Sequence, residues 1–244
     1  MLNLQGDFHT HTKYSDGKGT IEQNIQNAAK SGLKAVAITD HGLKRIARGL
    51  SRKNFEKIRK EISDLSDKYK IKVLFGVEAN IVSSKGLLDL KEDDFKLFDI
   101  VLCGYHVGVY PNGLKDAFWM AKNFFYRGSK ASNTKVYIKA IEKNKIDIIT
   151  HLNSKIRVNC KEVAKAAFDS NTLIELNGKR IDFTHEEFLE MYSTGVNFII
   201  NSDAHSPKRV GEISVAENFL KGLDISLDRI VNLGTIPTFK NQNN

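Results

Sequence analysis

The chain has 244 residues, 41% of them hydrophobic and 27% charged, which supplies enough apolar side chains for a packed core and excludes a low-complexity or disordered polypeptide. No apolar run reaches the roughly 18 residues that a membrane span needs, MLNLQGDFHTH lacks the pattern of a secretion signal, and no membrane partner is expected. Cys103 and Cys160 are too few for a disulfide framework, so reduced thiols and a cytoplasmic location are expected, while the net charge of +8 points to anionic partners such as phosphate esters or nucleic acid.

Taken in chain order, apolar runs alternate with helical patterns. A short strand around Gln5 to His9 leads into TIEQNIQNAAKSG, an amphipathic helix with Thr20 as N-cap and Gly32 as its stop. LKAVAIT is a buried strand ending at Asp40 and His41. The segment from Lys44 to Lys60 holds eight Lys or Arg against the single acid Glu56 and reads first as a solvated face. A charged helix from Arg52 to Tyr69 precedes the strand IKVLFGVEA, and FDIVLCGYH is a further strand ending in a histidine. Helical stretches follow at 115–126 and from Asn133 to Asn144. IDIITH is then a strand, VNCKEVAKAAFDS a helix, TLIELN a strand, HEEFLEMYSTG a helix and VNFIINSDAH the seventh strand, with a last helix from Val215 to Lys221.

Seven apolar strands separated by helices argue for parallel β/α units in a closed or nearly closed barrel, with an open doubly wound sheet as the alternative. The glycine-rich dinucleotide fingerprint is absent. No linker or repeat divides the chain. A single domain over residues 1–236 is expected, followed by a polar tail, 237–244, that frays.

Six of the seven histidines fall at the C-terminal end of a predicted strand: His9 and His11, His41, His106, His151 and His205. Glu78, Asp203 and Asp40 share that position. In a parallel barrel these ends meet on one face, where such folds build their active sites. Residues two apart in an extended segment point the same way, so His9 with His11, and Asp203 with His205, can each aim two ligands into one cavity. Imidazole with carboxylate suits zinc, iron or manganese. His185 opens a predicted helix instead and reads as a cap or surface residue.

FHTHTKYSDG, ITDHG, GVEAN, CGYH, ITH and NSDAH, in this order, resemble the motifs of the PHP family, named for its polymerase and histidinol-phosphatase members. The resemblance runs from Gly6 to Val231. GVEANI is most similar to the stand-alone, histidinol-phosphatase-like phosphoesterases of the family. It implies an α/β fold, a distorted seven-stranded (β/α)7 TIM-like barrel, and a site with three divalent transition metals. By that resemblance His9, His11, Glu78 and Asp203 hold one metal. Glu78, as a bridge, with His106 and His151 holds a second, and Asp16, His41 and His205 hold the third. Asp16 stands where some relatives carry histidine, and its oxygen favours manganese or iron there over an all-imidazole zinc shell. Asp40 is expected to orient a ligand rather than bind metal.

The implied activity is hydrolysis of a small phosphomonoester, histidinol phosphate among the candidates, by a metal-bound hydroxide as nucleophile. No serine or cysteine lies in a recognisable nucleophile motif. Arg45, Arg157, Arg180 and Arg209 follow strand ends and are candidate phosphate contacts, with Arg180 and Arg209 preferred and Lys44, Lys179 and Lys208 beside them. Three rivals remain at this level. A PHP-type nuclease or phosphodiesterase on nucleic acid is favoured by the basic run, and a C–N hydrolase of the amidohydrolase type by the H-x-H motif. The latter lacks its bridging lysine in LFDIVLCGYH. The third is a non-catalytic, metal-stabilised binding module, against which all nine ligand positions carry competent side chains.

Overall fold

The computed structural model describes residues 2–126, 128–240 and 242. Seven strands, β1 (Gly6–Asp7), β2 (Ala35–Ile38), β3 (Lys72–Asn80), β4 (Ile100–Gly104), β5 (Ile148–Ile149), β6 (Leu173–Asn177) and β7 (Phe198–Asn201), lie side by side in sequence order. Every ladder between them is parallel. The first and last strands meet through Phe8 N–H to Asn201 Oδ1 at 2.9 Å, His11 N–H to Ala204 O at 2.9 Å, and a parallel bridge between Thr10 and Ala204. The sheet therefore closes nearly completely, and no open doubly wound edge is left.

The strand sequences are continuously apolar because both faces are covered. Ala35, Ala37, Leu74, Ile100, Leu102, Ile148 and Ile199 fill the barrel, while their neighbours Val36, Ile38, Val73, Phe75, Val101 and Cys103 pack outward under the helices. On β3 the inward parity continues through Gly76 to Glu78. A Cβ at Gly76 would stand 2.5 Å from Ile100 Cγ2, so only glycine fits that layer of the interior.

Helices α1 (Ile21–Lys30), α2 (Phe55–Tyr69), α3 (Leu114–Tyr126), α4 (Lys130–Lys143), α5 (Cys160–Asp169) and α6 (His185–Ser193) lie between strands, α7 (Ser214–Leu220) follows β7, and only the 3-10 helix Glu92–Leu97 stands between β3 and β4. Their limits follow from capping. Thr20 and Thr184 each close a capping box, and Gly32, at φ 78°, turns the chain away from α1. Ser129 accepts from Ser132 N–H, which starts α4 three residues before the Asn133 expected from sequence. His185 is not a cap. It follows the Thr184 cap, and its Nε2 lies 2.8 Å from the Phe219 carbonyl on the surface. Among the described residues no helix is long and apolar enough to cross a membrane, and Cys103 and Cys160 are buried free thiols.

The C-terminal segment differs from the expected frayed tail. Phe239, 3% exposed, fills the floor of the barrel and meets Phe8 edge-on at 4.9 Å. Lys240 donates its N–H to Asp147 Oδ1 at 2.7 Å and its Nζ to Thr172 Oγ1 at 2.9 Å. The ring seats the segment by packing on the apolar barrel interior of Phe8, Ala35, Leu74, Ile100, Ile148 and Ile199, while Lys240 bonds to the polar rim around it. Asn241, Asn243 and Asn244 lie outside the described residues. Phe239→Ala is expected to cost about 3 kcal/mol or more in urea denaturation, the range for emptying a buried phenylalanine site; a change below about 1 kcal/mol would show that the ring does not close the floor.

Candidate metal centre

The C-terminal strand ends converge on Glu78. Its side chain is 1% exposed, and its two oxygens lie near five imidazoles: His9 Nε2 at 3.3 Å, His11 Nε2 at 3.5 Å, His41 Nδ1 at 2.9 Å, His106 Nε2 at 3.2 Å and His151 Nε2 at 2.8 Å. Asp203 Oδ1 stands 3.5 Å from His11 Nε2 and 3.2 Å from His205 Nδ1. Asp16 Oδ1 is 3.4 Å from both His41 Nε2 and His205 Nε2. All nine side chains singled out from sequence are thus brought to one end of the barrel.

They arrive there by different backbone routes. His9 and His11 project together, with their Nε2 atoms 3.1 Å apart. Asp203 and His205 do not pair by strand alternation: β7 stops at Asn201, and Asp203 adopts φ 50°. His151 sits at φ 29°, which turns the chain out of the ladder and confines β5 to Ile148–Ile149 instead of the longer IDIITH. Non-glycine residues in this region are strained, and such strain gathers at functional sites. Gly104 makes room beside it, since a Cβ there would lie 2.7 Å from His151 Cε1.

The donor atoms fall into three groups of mutually close atoms: His11, Asp16, His41 and His205; His9, His11 and Glu78; and His41, Glu78 and His106. His11 and His41 each belong to two groups, which differs from the division implied by the resemblance. His151 joins the cluster through Glu78, and Asp203 through His11 and His205. Several of these buried atoms have no hydrogen-bond partner, namely His11 Nδ1, Asp16 Oδ1, His41 Nδ1, Glu78 Oε2 and both ring nitrogens of His106. Unpaired buried polar atoms each cost about 1–3 kcal/mol. Nitrogen and carboxylate donors stranded this way fit divalent cations of the zinc, manganese or iron type.

The electrostatics of the cluster are mutual. Burial would raise the Glu78 pKa, but the His106, His9 and His41 imidazoles reverse this and hold it well below the usual carboxylate range. Burial likewise opposes the charge on His9, yet Glu175, Glu78 and Asp203 raise its pKa well above the ordinary value. His41 is raised to about 9 against its burial, mainly by Glu78 and Asp16. Burial, with repulsion from His41, lowers His11 to about 3, and burial lowers His106 to about 4.

Three buried carboxylates outside the cluster hold it in place. Asp40 accepts from Thr12 N–H at 2.7 Å, from Thr12 Oγ1 at 2.6 Å and from the Ser15 hydroxyl, which fixes the loop carrying Asp16. Asp7 accepts from Ser202 N–H at 3.1 Å and Gly211 N–H at 2.9 Å, and so anchors the loop with Asp203 and His205. Glu175 was missed by the sequence reading. It meets His9 Nδ1 at 2.7 Å, accepts from His151 N–H at 2.9 Å, and is held by Asn177 Nδ2 at 2.8 Å. Its signal was a lone acid inside the apolar run TLIELN, a place where charge is rare unless partnered.

The cluster floors a cavity of about 270 Å³ whose walls carry Arg45, Ser154, Lys155, Asn177, Lys179 and Arg180. Of the four candidate arginines, Arg45 and Arg180 line it. Arg157 and Arg209 do not: both are exposed, Arg157 binds the Asp182 carbonyl at 3.2 Å, and Arg209 lies on the short helix Pro207–Arg209. The basic run also divides. Arg48 reaches Asp16 at 3.7 Å, whereas Arg59 is spent on Asp99 at 3.3 Å and Arg52 on Asp94.

Glu175→Gln is expected to weaken metal binding by roughly 10- to 100-fold, the usual effect of losing a carboxylate behind a histidine ligand. Competition against a chromogenic chelator measures it, and unchanged affinity would show that Glu175 does not orient the ligands.

Comparison with known proteins gives a consistent answer. A probable phosphatase of Clostridium botulinum is 29% identical over 239 residues, covering 93% of this chain and 89% of that protein. A DNA polymerase/3′-5′ exonuclease of Bacillus subtilis is 27% identical over 214 residues, 83% of this chain but 34% of that protein. The crystal structure of histidinol phosphate phosphatase from Lactococcus lactis, complexed with zinc, L-histidinol and phosphate, shares the fold. It gives a TM-score of 0.66 at 16% identity and covers 99% of this chain and 98% of that one. The PHP domain model matches residues 7–225, and the chain therefore belongs to the PHP domain family.

Proposed function

We propose that this chain, a hydrolase of phosphoric esters, cleaves a small phosphomonoester with the help of three divalent metals held by His9, His11, Asp16, His41, Glu78, His106, His151, Asp203 and His205. The observation that carries this reading is the convergence of five imidazoles on buried Glu78, with donor atoms that no protein group satisfies. When bound, such metals supply an ionised water near neutral pH and neutralise phosphoryl oxygens.

The chain's own residues supply the rest. Glu175 and Asp40 hold ligands and loops in register. Arg45, Lys179 and Arg180 offer positive charge and N–H donors to an anionic substrate above the floor. Neither cysteine is placed to act as a nucleophile: burial raises the Cys103 pKa well above normal and pushes Cys160 up to about 12. The modest cavity, whose only rings among the described residues are the imidazoles of the ligand cluster, supports a small substrate over a nucleic-acid strand, which would need free stacking platforms. Two buried free thiols accord with a cytoplasmic location.

Exhaustive chelation is expected to abolish phosphomonoesterase activity, and manganese or zinc to restore it, with elemental analysis giving two to three metals per chain. Folded His151→Ala and Asp203→Ala variants should each lose roughly 100-fold or more in kcat, as loss of a ligand or its orientation entails. Full turnover in either would remove the assignment. Histidinol phosphate belongs in the substrate panel, as does single-stranded DNA to test the nuclease reading.

A further inference from the structure

The cavity has a floor and walls of opposite character. Its three carboxylates all belong to the floor: Asp16 lies 3.4 Å from His41 Nε2, Glu78 2.9 Å from His41 Nδ1, and Asp203 3.2 Å from His205 Nδ1. Above them, the ionisable side chains of the walls are all cationic, namely Arg45, Lys155, Lys179 and Arg180. Ser154 and Asn177 complete the walls, and apart from the imidazoles of His41, His106, His151 and His205 in the floor no aromatic or aliphatic side chain lines the cavity among the described residues.

Three of these cations stand together. Lys155 follows β5, and Lys179 and Arg180 follow β6, its neighbour in the barrel, whereas Arg45 follows β2 across the ring. The Arg180 guanidinium ties the two loops to each other, with Nε on Asp182 Oδ2 at 2.6 Å and Nη2 on the Ser154 carbonyl at 3.3 Å. The nearest carboxylate to Lys179 Nζ is Asp203 Oδ2 at 3.7 Å, which belongs to the ligand cluster. Lys155 is exposed and has no carboxylate partner among the described residues. With divalent metals in the cluster facing the scissile phosphate, Lys155 and Lys179 are wall cations that no carboxylate outside the ligand cluster offsets among the described residues, while Arg180, its charge shared with Asp182, keeps guanidinium N–H groups beside them.

We infer that the substrate carries a second anionic group, a carboxylate or a phosphate, besides the scissile phosphate, and that Lys155, Lys179 and Arg180 hold it. The inference rests on the phosphatase reading and narrows it. An ammonium group entering the cavity would meet cations and find no carboxylate outside the ligand cluster. An imidazole would find no ring to stack on except those of the ligand cluster itself. Histidinol phosphate, which carries both, is the wrong shape of charge for these walls.

The test uses the metal-loaded protein and kcat/KM for four phosphomonoesters: glycerol phosphate, phosphoglycerate, a sugar bisphosphate and histidinol phosphate. Phosphoglycerate or the bisphosphate should exceed glycerol phosphate and histidinol phosphate by about tenfold or more, the worth of one charge-assisted contact. Which of the two leads identifies the second group as carboxylate or phosphate. In Arg180→Ala, and separately in Lys155→Ala, which does not touch the Asp182 tie, that preference should shrink to within about threefold. Equal or better turnover of glycerol phosphate or histidinol phosphate by the unmodified protein overturns the inference and leaves the phosphatase reading standing, as does a preference that survives both substitutions. Failure to hydrolyse any member overturns the two together.

Discussion

A carboxylate surrounded by imidazoles at the top of a closed barrel is the constraint on which the rest depends. Glu78 occupies the inward parity of β3, with Leu74 and Gly76 beneath it in the barrel. An ionised carboxyl in such a place is expensive unless its oxygens are answered. Five imidazoles crowd them at 2.8–3.5 Å, each from a different loop or strand end except the His9–His11 pair, yet Oε2 is left without a hydrogen-bond partner for a cation to satisfy. The barrel must close for these groups to meet, so the bridge between Thr10 and Ala204 is part of the site as well as of the fold. Partial protonation balances the cluster without metal, and divalent cations replace those protons when they bind.

The loops that deliver the ligands are held by a repeated device, a buried carboxylate one layer behind the cluster. Asp7, Asp40 and Glu175 each accept backbone N–H bonds from a loop that carries a ligand. Each is fully or almost fully buried, and burial raises the pKa of both Asp7 and Asp40. Their hydrogen bonds offset that cost, and in return the left-handed turns at His151 and Asp203 are over-determined by their surroundings. Glu175 does most in this respect, since it fixes the ring of His9 and the backbone of His151 with its two oxygens.

Much of this was legible in the chain. Strand count, strand order and the placement of ligands at strand ends follow from apolar runs that stop at histidine or acid, because a parallel barrel gathers those ends whatever its loops do. The ends themselves were less legible. β1 and β5 form only two-residue ladders because their following residues turn toward the site, and no propensity in FHTH or IITH reports that turn. His11 and His41 proved to be shared between donor groups, a matter of side-chain direction that spacing does not encode. Arg157 and Arg209 point away for the same reason, whereas Arg45 and Arg180 were placed by backbone pairing and by Ser154. Phe239 escaped notice because one ring in a polar run has no periodicity; its role appears only once the barrel has an open floor to fill.

These features divide the molecule into parts that answer to different demands. The floor is set by strand ends and their buried supports, and any change there disturbs metal, closure and loop strain together. The walls come from the loops after β2, β5 and β6, and of the wall cations Lys179 alone pairs with a carboxylate of the cluster, Asp203, at 3.7 Å among the described residues. Substitution at Lys155, which has no such pair, is the change best placed to alter which ester is held without disturbing the floor. Likeness of fold therefore carries chemistry further than it carries substrate.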